Sequence, residues 1–382
     1  MKMMLATSAM ISMTLLSANV QLAEEPELEH ECTSWMVFPD MAGGYRILHK
    51  NRDAKPRDIA ISRWSDPSKH KWIGLGSAGS PNMGISEKGL AIVMNSGEAT
   101  FENEPAEEGR MGTPSIARYL LENTTTAAEA VAEFQKIIDR RGYTHEKRGS
   151  IFFIMDLKEG YVIECTAYHA LPVRVADGIH VRANIWKNPG MAKYTRNTCK
   201  ATMNSASREF QATTNLNLAV DDHGKITIED IANISRLLGD VEAIGNERGV
   251  CGKTTNSAAT LLLDEEFPDV LSAEFVTIGP PRHTAYLPVP ICIEDIPADI
   301  LDETWSKASF ARFDKDGLEF DCTVWKQLET DLRNDFMVAS DKARQLLRDG
   351  KRDAAVEVMR NMFVAGCDKA RPQVLGTEVK KD

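Results

Sequence analysis

The chain has 382 residues, 43% of them hydrophobic, with 45 basic against 56 acidic side chains and a formal net charge of −11. That is an ordinary globular composition, and the length accommodates a sizeable core in one large domain or in two or three smaller ones. An acidic balance without a Lys/Arg-rich block lacks the electrostatic term that drives binding to phosphate backbones or anionic membrane surfaces, so no nucleic-acid partner is expected.

Lys2 precedes an apolar run from Met3 to Ala18 with only small polar interruptions, followed by Asn19 and an acidic segment. This is the pattern of a secretory signal, assigned to residues 1–23, with cleavage after Ala18 or after Ala23 both compatible. No later stretch reaches about 18 uninterrupted apolar residues, so the mature form is expected to be secreted or periplasmic, with no integral membrane segment. Seven cysteines, from Cys32 to Cys367, are too widely spaced for a CxxC pair. Their odd number leaves at least one thiol unpaired in an oxidising compartment.

The acidic, unpatterned stretch Glu24 to Glu31 cannot bury a face and reads as a propeptide. After it, Cys32 to Phe38 and Tyr45 to His49 predict two strands about a turn over Pro39 to Gly44, placing Cys32 at the first residue of a hairpin. Removal of residues 1–31 would give Cys32 both a thiol and a free α-amine. With reference pKa values of about 8.5 and about 7.7–8, the amine can act as the thiol's own general base near neutral pH.

Cys32-Thr33 at the head of this hairpin and Lys50-Asn51-Arg52-Asp53 at its far end resemble the N-terminal-nucleophile hydrolases of the choloylglycine hydrolase and isopenicillin N acyltransferase type, across residues 32–295. The resemblance implies an α+β fold, a four-layer αββα sandwich over residues 32–297, while the helix-forming, charged composition of residues 298–382 reads as a helical C-terminal extension. It also implies that Asp53 orients the amine and thiol. The family pattern has Arg where Lys50 stands, and a point-charge ammonium does not reproduce a guanidinium fork, so Lys50 is assigned only to substrate contact.

Further along, Gly74-x-Gly76-x-x-Gly79 is formally a dinucleotide fingerprint, but Pro81 and Gly84 follow and no helix can open there. Leu90 to Met94 predicts a strand ending at Asn95. The resemblance makes Asn95 an oxyanion donor, a role worth about 2.7–4 kcal/mol of transition-state stabilisation. Thr113-Pro114 and the capping box Thr126-x-x-Glu129 open two helices. Residues 150–155, 161–166 and 179–184 predict three strands, and the resemblance makes Asn184 a second active-site asparagine, with Asn188 competing for that role. Thr227-x-x-Asp230 opens a helix through Ile231, Ile234, Leu237 and Leu238. Two strands, Ala258 to Leu263 and Ala273 to Ile278, follow a polar segment that the resemblance places beside the acyl pocket, which makes Lys253, Thr255, Asn256 and Ser257 weak candidates for substrate contact.

Beyond Pro297 the spacing predicts an αα-hairpin about Gly350 that packs on the domain or mediates a homo-oligomer. Asp314-Lys315-Asp316-Gly317 fails as a calcium loop because Arg312 and Thr323 would occupy its first and last ligand positions. The histidines show no HExxH spacing, and neither metal nor cofactor is expected. The leading expectation is therefore an exported thiol amidase that cleaves a linear amide of a small acyl-amine or acyl-amino acid through an acyl-enzyme on Cys32, with Asp53, Asn95 and Asn184 in support. An acyltransferase to an amine acceptor, a dipeptidase and a catalytically silent scaffold are the alternatives.

Overall fold

The computed structural model describes residues 31–77, 80–102, 109–145, 148–196, 199–239 and 249–376. The expected signal, the expected propeptide up to residue 30, and Gly79 lie outside the described residues.

The chain opens with the expected hairpin, β1 (Cys32–Val37) and β2 (Arg46–Asp53). Its turn contains Gly43 at φ 62° and Gly44 at φ 95°, a left-handed region that residues with a Cβ adopt only under strain. Cys32 pairs with Arg52 and Val37 with Ile47, so β2 runs four residues past His49 and includes the whole polar run Lys50 to Asp53. Next come β3 (Ile59–Arg63), β4 (Trp72–Ser77), β5 (Ser80–Ser86) and β6 (Ala91–Ala99). Gly74 and Gly76 lie within β4, where a Cβ on Gly76 would sit 2.1 Å from Ser80 O. They permit close strand approach and open no helix.

Helices α1 (Thr113–Asn123) and α2 (Ala127–Asp139) follow, the second with its capping box formed between Thr126 and Glu129. Strands β7 (Arg148–Met155), β8 (Gly160–Cys165), β9 (Ala170–Val175) and β10 (Ile179–Arg182) precede the long α3 (Cys199–His223) and the short α4 (Ile228–Ile234). The remainder is β11 (Thr255–Leu263), α5 (Pro268–Leu271), β12 (Ala273–Thr277), β13 (Leu287–Pro290), α6 (Ala298–Leu301), α7 (Thr304–Asp316), and the hairpin of α8 (Lys326–Arg348) and α9 (Arg352–Leu375). The Thr227–Asp230 capping box is present, but α4 ends at Ile234, short of Leu237 and Leu238.

Two sheets result, β10-β1-β2-β11-β12-β13 and β3-β4-β5-β6-β7-β8-β9, with every neighbouring pair antiparallel. Alternation along β7 shows how they stack: Ile151, Phe153 and Met155 join the core between the sheets, while Phe152 and Ile154 join a second core under α1 and α2 with Ile116, Leu120 and Phe134. On the far side of the first sheet, the α8–α9 hairpin contributes Leu332, Phe336, Met359 and Phe363 to the same cluster as the first sheet's strands, with Phe336 edge-on to Phe275 at 5.1 Å. The arrangement is the expected αββα sandwich. No described helix is long and apolar enough to cross a membrane.

Candidate active site

Strand β2 is the physical anomaly of the fold. His49, Lys50, Asn51, Arg52 and Asp53 are all buried on a strand between β1 and β11. Polar groups withdrawn from water must find partners or carry a penalty of several kcal/mol each by transfer estimates. Lys50, Arg52 and, through Arg208, Asp53 are tied to Cys32, while His49 and Asn51 find their partners on the opposite face.

Alternation sends Lys50 and Arg52 toward the second sheet, on the face of Cys32 and Ser34, and sends His49, Asn51 and Asp53 toward the helices. Lys50 donates from Nζ to Met94 O at 2.6 Å and to Asn95 Oδ1 at 3.0 Å. Burial pushes its ammonium below the ordinary lysine value, and the neighbouring Cys32 thiol, which shares a hydrogen bond with it, acts in the opposite direction. Arg52 stands opposite Cys32, and Ser257 stands opposite Arg52, so the three form one row across β1, β2 and β11.

On the other face, His49 stacks on Trp35 at 4.1 Å and joins Thr260 Oγ1 to Asn51 Oδ1. Asn51 donates to Ser235 O and Val250 O, tying β2 to the end of α4. Those acceptors place the His49 proton on Nε2. Burial drops the His49 pKa to about 3, so the ring is neutral. Asp53 Oδ1 accepts from Thr255 Oγ1 at 2.5 Å, and Arg208 Nη1 lies 3.9 Å from Oδ2. Burial raises the Asp53 pKa to about 7 despite the Arg208 guanidinium and the Thr255 bond.

Arg208, on α3 and almost wholly buried, joins these parts. It donates to Cys32 O at 2.7 Å, Thr33 Oγ1 at 2.9 Å, Asn184 Oδ1 at 2.7 Å and Asn204 Oδ1 at 3.1 Å. Asn184 Oδ1 also accepts the Cys32 backbone N–H at 3.0 Å. Glu31 is joined to Cys32 here, so this nitrogen is an amide standing in for the α-amine of a processed chain.

The structure thus brings Cys32, Asp53, Asn184 and Lys50 together. Lys50, expected to touch substrate, is instead a fully buried strut between the sheets. Asn95 also differs from expectation. It lies inside β6, not at a strand end, and its Nδ2 donates to Arg182 O and Ala183 O at 3.1 and 3.0 Å while Oδ1 accepts from Ser34 and Lys50. Both amide hydrogens are committed to these carbonyls in the unprocessed chain, where Asn95 organises the interior. Asn188 stands apart as the cap of the 3₁₀ turn Pro189–Tyr194, accepting from Gly190 N. Ser257 Oγ donates to its neighbour Asn256, which holds Ala54 O and Pro56 O.

Arg208, Asn204 and Arg148, the last holding Gly97 O from Nε with its guanidinium in electrostatic range of Glu31 and Cys32, are the residues around Cys32 that sequence reasoning missed. The six cysteines with described side chains are free. Burial raises the thiol pKa values of Cys251, Cys292 and Cys367 to about 12 and pushes that of Cys165 higher still, which makes all four poor nucleophiles. Among the described residues no cluster of three His, Cys, Asp or Glu side chains is placed to hold a metal ion.

Residues 41–260 match the protein family described as acyl-coenzyme A:6-aminopenicillanic acid acyl-transferase. No curated protein matches the chain by sequence. Solved structures of similar shape include a mutant conjugated bile acid hydrolase from Clostridium perfringens, with TM-score 0.44, 10% identity, and coverage of 64% of this chain and 88% of that one. Penicillin V acylase from Agrobacterium tumefaciens gives 0.42 at 14% identity, covering 64% and 82%. The Caenorhabditis elegans ortholog of N-acylethanolamine-hydrolyzing acid amidase gives 0.41 at 15%, covering 63% and 94%.

Proposed function

Because the chain belongs to the acyl-coenzyme A:6-aminopenicillanic acid acyl-transferase family, which places it among amide hydrolases and acyltransferases of the N-terminal-nucleophile type, we propose that it is an exported thiol amidase whose nucleophile is Cys32 after loss of residues 1–31. One observation carries the reading: the Cys32 nitrogen is already held by Asn184 Oδ1, whose own amide is fixed on Ser96 O. In the processed chain that bond would orient an α-amine so that its lone pair can take the thiol proton.

Cys32 Sγ then attacks the acyl carbon of a linear amide, and the carbonyl oxygen takes up negative charge. Lys50, Arg52 and Arg208 around Cys32 supply a positive field that stabilises it. Collapse breaks the C–N bond, the leaving nitrogen takes the proton from the α-ammonium, and a thioester remains. Water adds to the thioester carbon, releases the acid and returns the proton to sulfur. The family's description favours a second reading, in which an amine acceptor replaces water in that last step.

Intact-mass analysis of the exported protein tests the proposal. A chain beginning at Cys32, hydrolysing acyl anilides and inactivated by Cys32→Ala, is expected. An active preparation that retains residue 31, or one indifferent to Cys32→Ala, would remove the mechanism.

A further inference from the structure

We propose that the processed site selects acyl groups carrying their own carboxylate, held where the side chain of Glu31 now lies. The inference rests on Cys32 being the processed nucleophile.

Glu31 is not a loose end. Asn204 Nδ2 donates to its Oε1 at 2.7 Å, and Arg208 Nη2 lies 3.9 Å from its Oε2. Both anchoring side chains are buried on α3, and Arg208 is itself fixed by Cys32, Thr33 and Asn184. Arg148, which donates from Nε to Gly97 O, is a second guanidinium within electrostatic range of the Glu31 carboxylate. A carboxylate therefore sits in a built, cationic socket immediately beside the nucleophile.

Processing empties this socket. The departing chain takes Glu31 with it, leaving Asn204 Nδ2–H without its acceptor and leaving Arg148 and Arg208 with one fewer counter-charge. A buried donor left unsatisfied and a buried guanidinium that has lost one of its two neighbouring carboxyl groups each disfavour an apolar occupant. An anion in the same place restores both interactions.

The chemistry fixes where that anion must be on the substrate. In Glu31 the carbonyl carbon joined to Cys32 is separated from the carboxylate carbon by three carbons. If Cys32 makes the cut itself, Sγ bonds to this carbonyl carbon, the C–N bond breaks, the nitrogen gains a proton, and the Glu31 acyl group becomes a thioester on Sγ until water removes it. That species is the acyl-enzyme of a substrate with the same acyl skeleton. The class implied is amides of glutaric acid or N-acylglutamic acid, attacked at the carbonyl three carbons from the free carboxylate.

The test compares glutaryl-p-nitroanilide with valeryl-p-nitroanilide, two acyl chains of equal length that differ in a terminal carboxylate or methyl. Processed protein is expected to favour the glutaryl compound in kcat/KM by at least about tenfold, since a site built around a polar group rejects the analogue lacking it. Asn204→Leu and Arg148→Met should each shrink that ratio. Valeryl turnover equal to or faster than glutaryl turnover would overturn the inference and leave the amidase reading standing, as would a ratio unmoved in a folded Asn204→Leu protein. Failure to cleave either anilide with a free Cys32 terminus would remove the amidase reading and the inference together. Should both variants fail to fold, the wild-type ratio alone decides.

Discussion

Asn95 and Asn184 fasten the two sheets together reciprocally. Asn95, inside β6, donates both amide hydrogens to the carbonyls of Arg182 and Ala183, the residues leading into Asn184, and Asn184 donates back to Ser96 O, the residue after Asn95. The clasp positions Asn184 Oδ1 over the Cys32 nitrogen. A double-mutant cycle should therefore show coupling. Asn95→Ala and Asn184→Ala are each expected to lower unfolding free energy by about 1–3 kcal/mol through unpaired buried carbonyls, with an interaction energy above about 0.5 kcal/mol between them. Additive losses in urea unfolding would mean that the two residues act independently.

Asp53 and His49 load the fold with opposite pH dependences. Burial holds the Asp53 carboxyl at about 7, above its ordinary value of 3.8, so its contribution to stability is complete below about pH 4 and is lost as pH rises toward 7. Burial holds the His49 ring at about 3, below 6.5, so its contribution is complete above about pH 6.5 and is lost as pH falls toward 3. Between pH 4 and 6.5 the two slopes oppose each other. Asp53→Asn removes the falling one, and melting curves across this window should then climb with pH more steeply than those of the wild type; parallel profiles would contradict the Asp53 assignment.

The C-terminal helices are part of the core, and a buried ion pair shows it. Arg236, just beyond α4, makes paired hydrogen bonds with Glu329 on α8 at 2.9 and 2.6 Å, and Glu329 also accepts from Tyr286 N. Truncating one partner of such a pair strands a buried charge, at a cost of about 3–5 kcal/mol. Glu329→Ala should lower the melting temperature accordingly, and Glu329→Ala with Arg236→Met should recover part of the loss. No recovery in the double variant would show that the cost lies in packing and not in the stranded guanidinium.

Glu274 offers the opposite sign. It is fully buried on β12, the Ile85 backbone N–H of the facing sheet is the one polar group close to its carboxyl among the described residues, and burial outweighs that contact and holds it protonated, well above the ordinary carboxylate range. It faces the core between the sheets, in the row of Leu261 and Leu48. Glu274→Met, similar in volume and free of polar atoms, is expected to stabilise the protein by about 1–3 kcal/mol. A lower denaturation midpoint would point to a partner for this carboxyl in the working protein.

Short-range chemistry was legible in the chain itself. The Cys32 hairpin, the capping boxes at Thr126 and Thr227 and the α8–α9 hairpin about Gly350 each rest on residues a few positions apart, where periodicity and side-chain-to-backbone bonds act. The elements that escaped it had weak local signals. Helix α3 reads as a polar segment rich in Asn, Ser and Thr, residues whose side chains compete for backbone hydrogen bonds, and among the described residues its buried apolar side chains are only Ala212, Leu216 and Ala219, beside the buried polar Asn204, Arg208 and Glu209. Strands β9 and β13 are short edges of their sheets. The identity of the residue at the head of β1 was therefore fixed by sequence, whereas what surrounds it was not. Arg208 reaches Cys32 across 176 positions of chain, Asn204 reaches Glu31 across 173, and the donor and acceptor ends of Asn95 were assigned only when Lys50 met it from the opposite sheet. Such partners are chosen by strand register and layer packing, which no periodicity within either segment encodes.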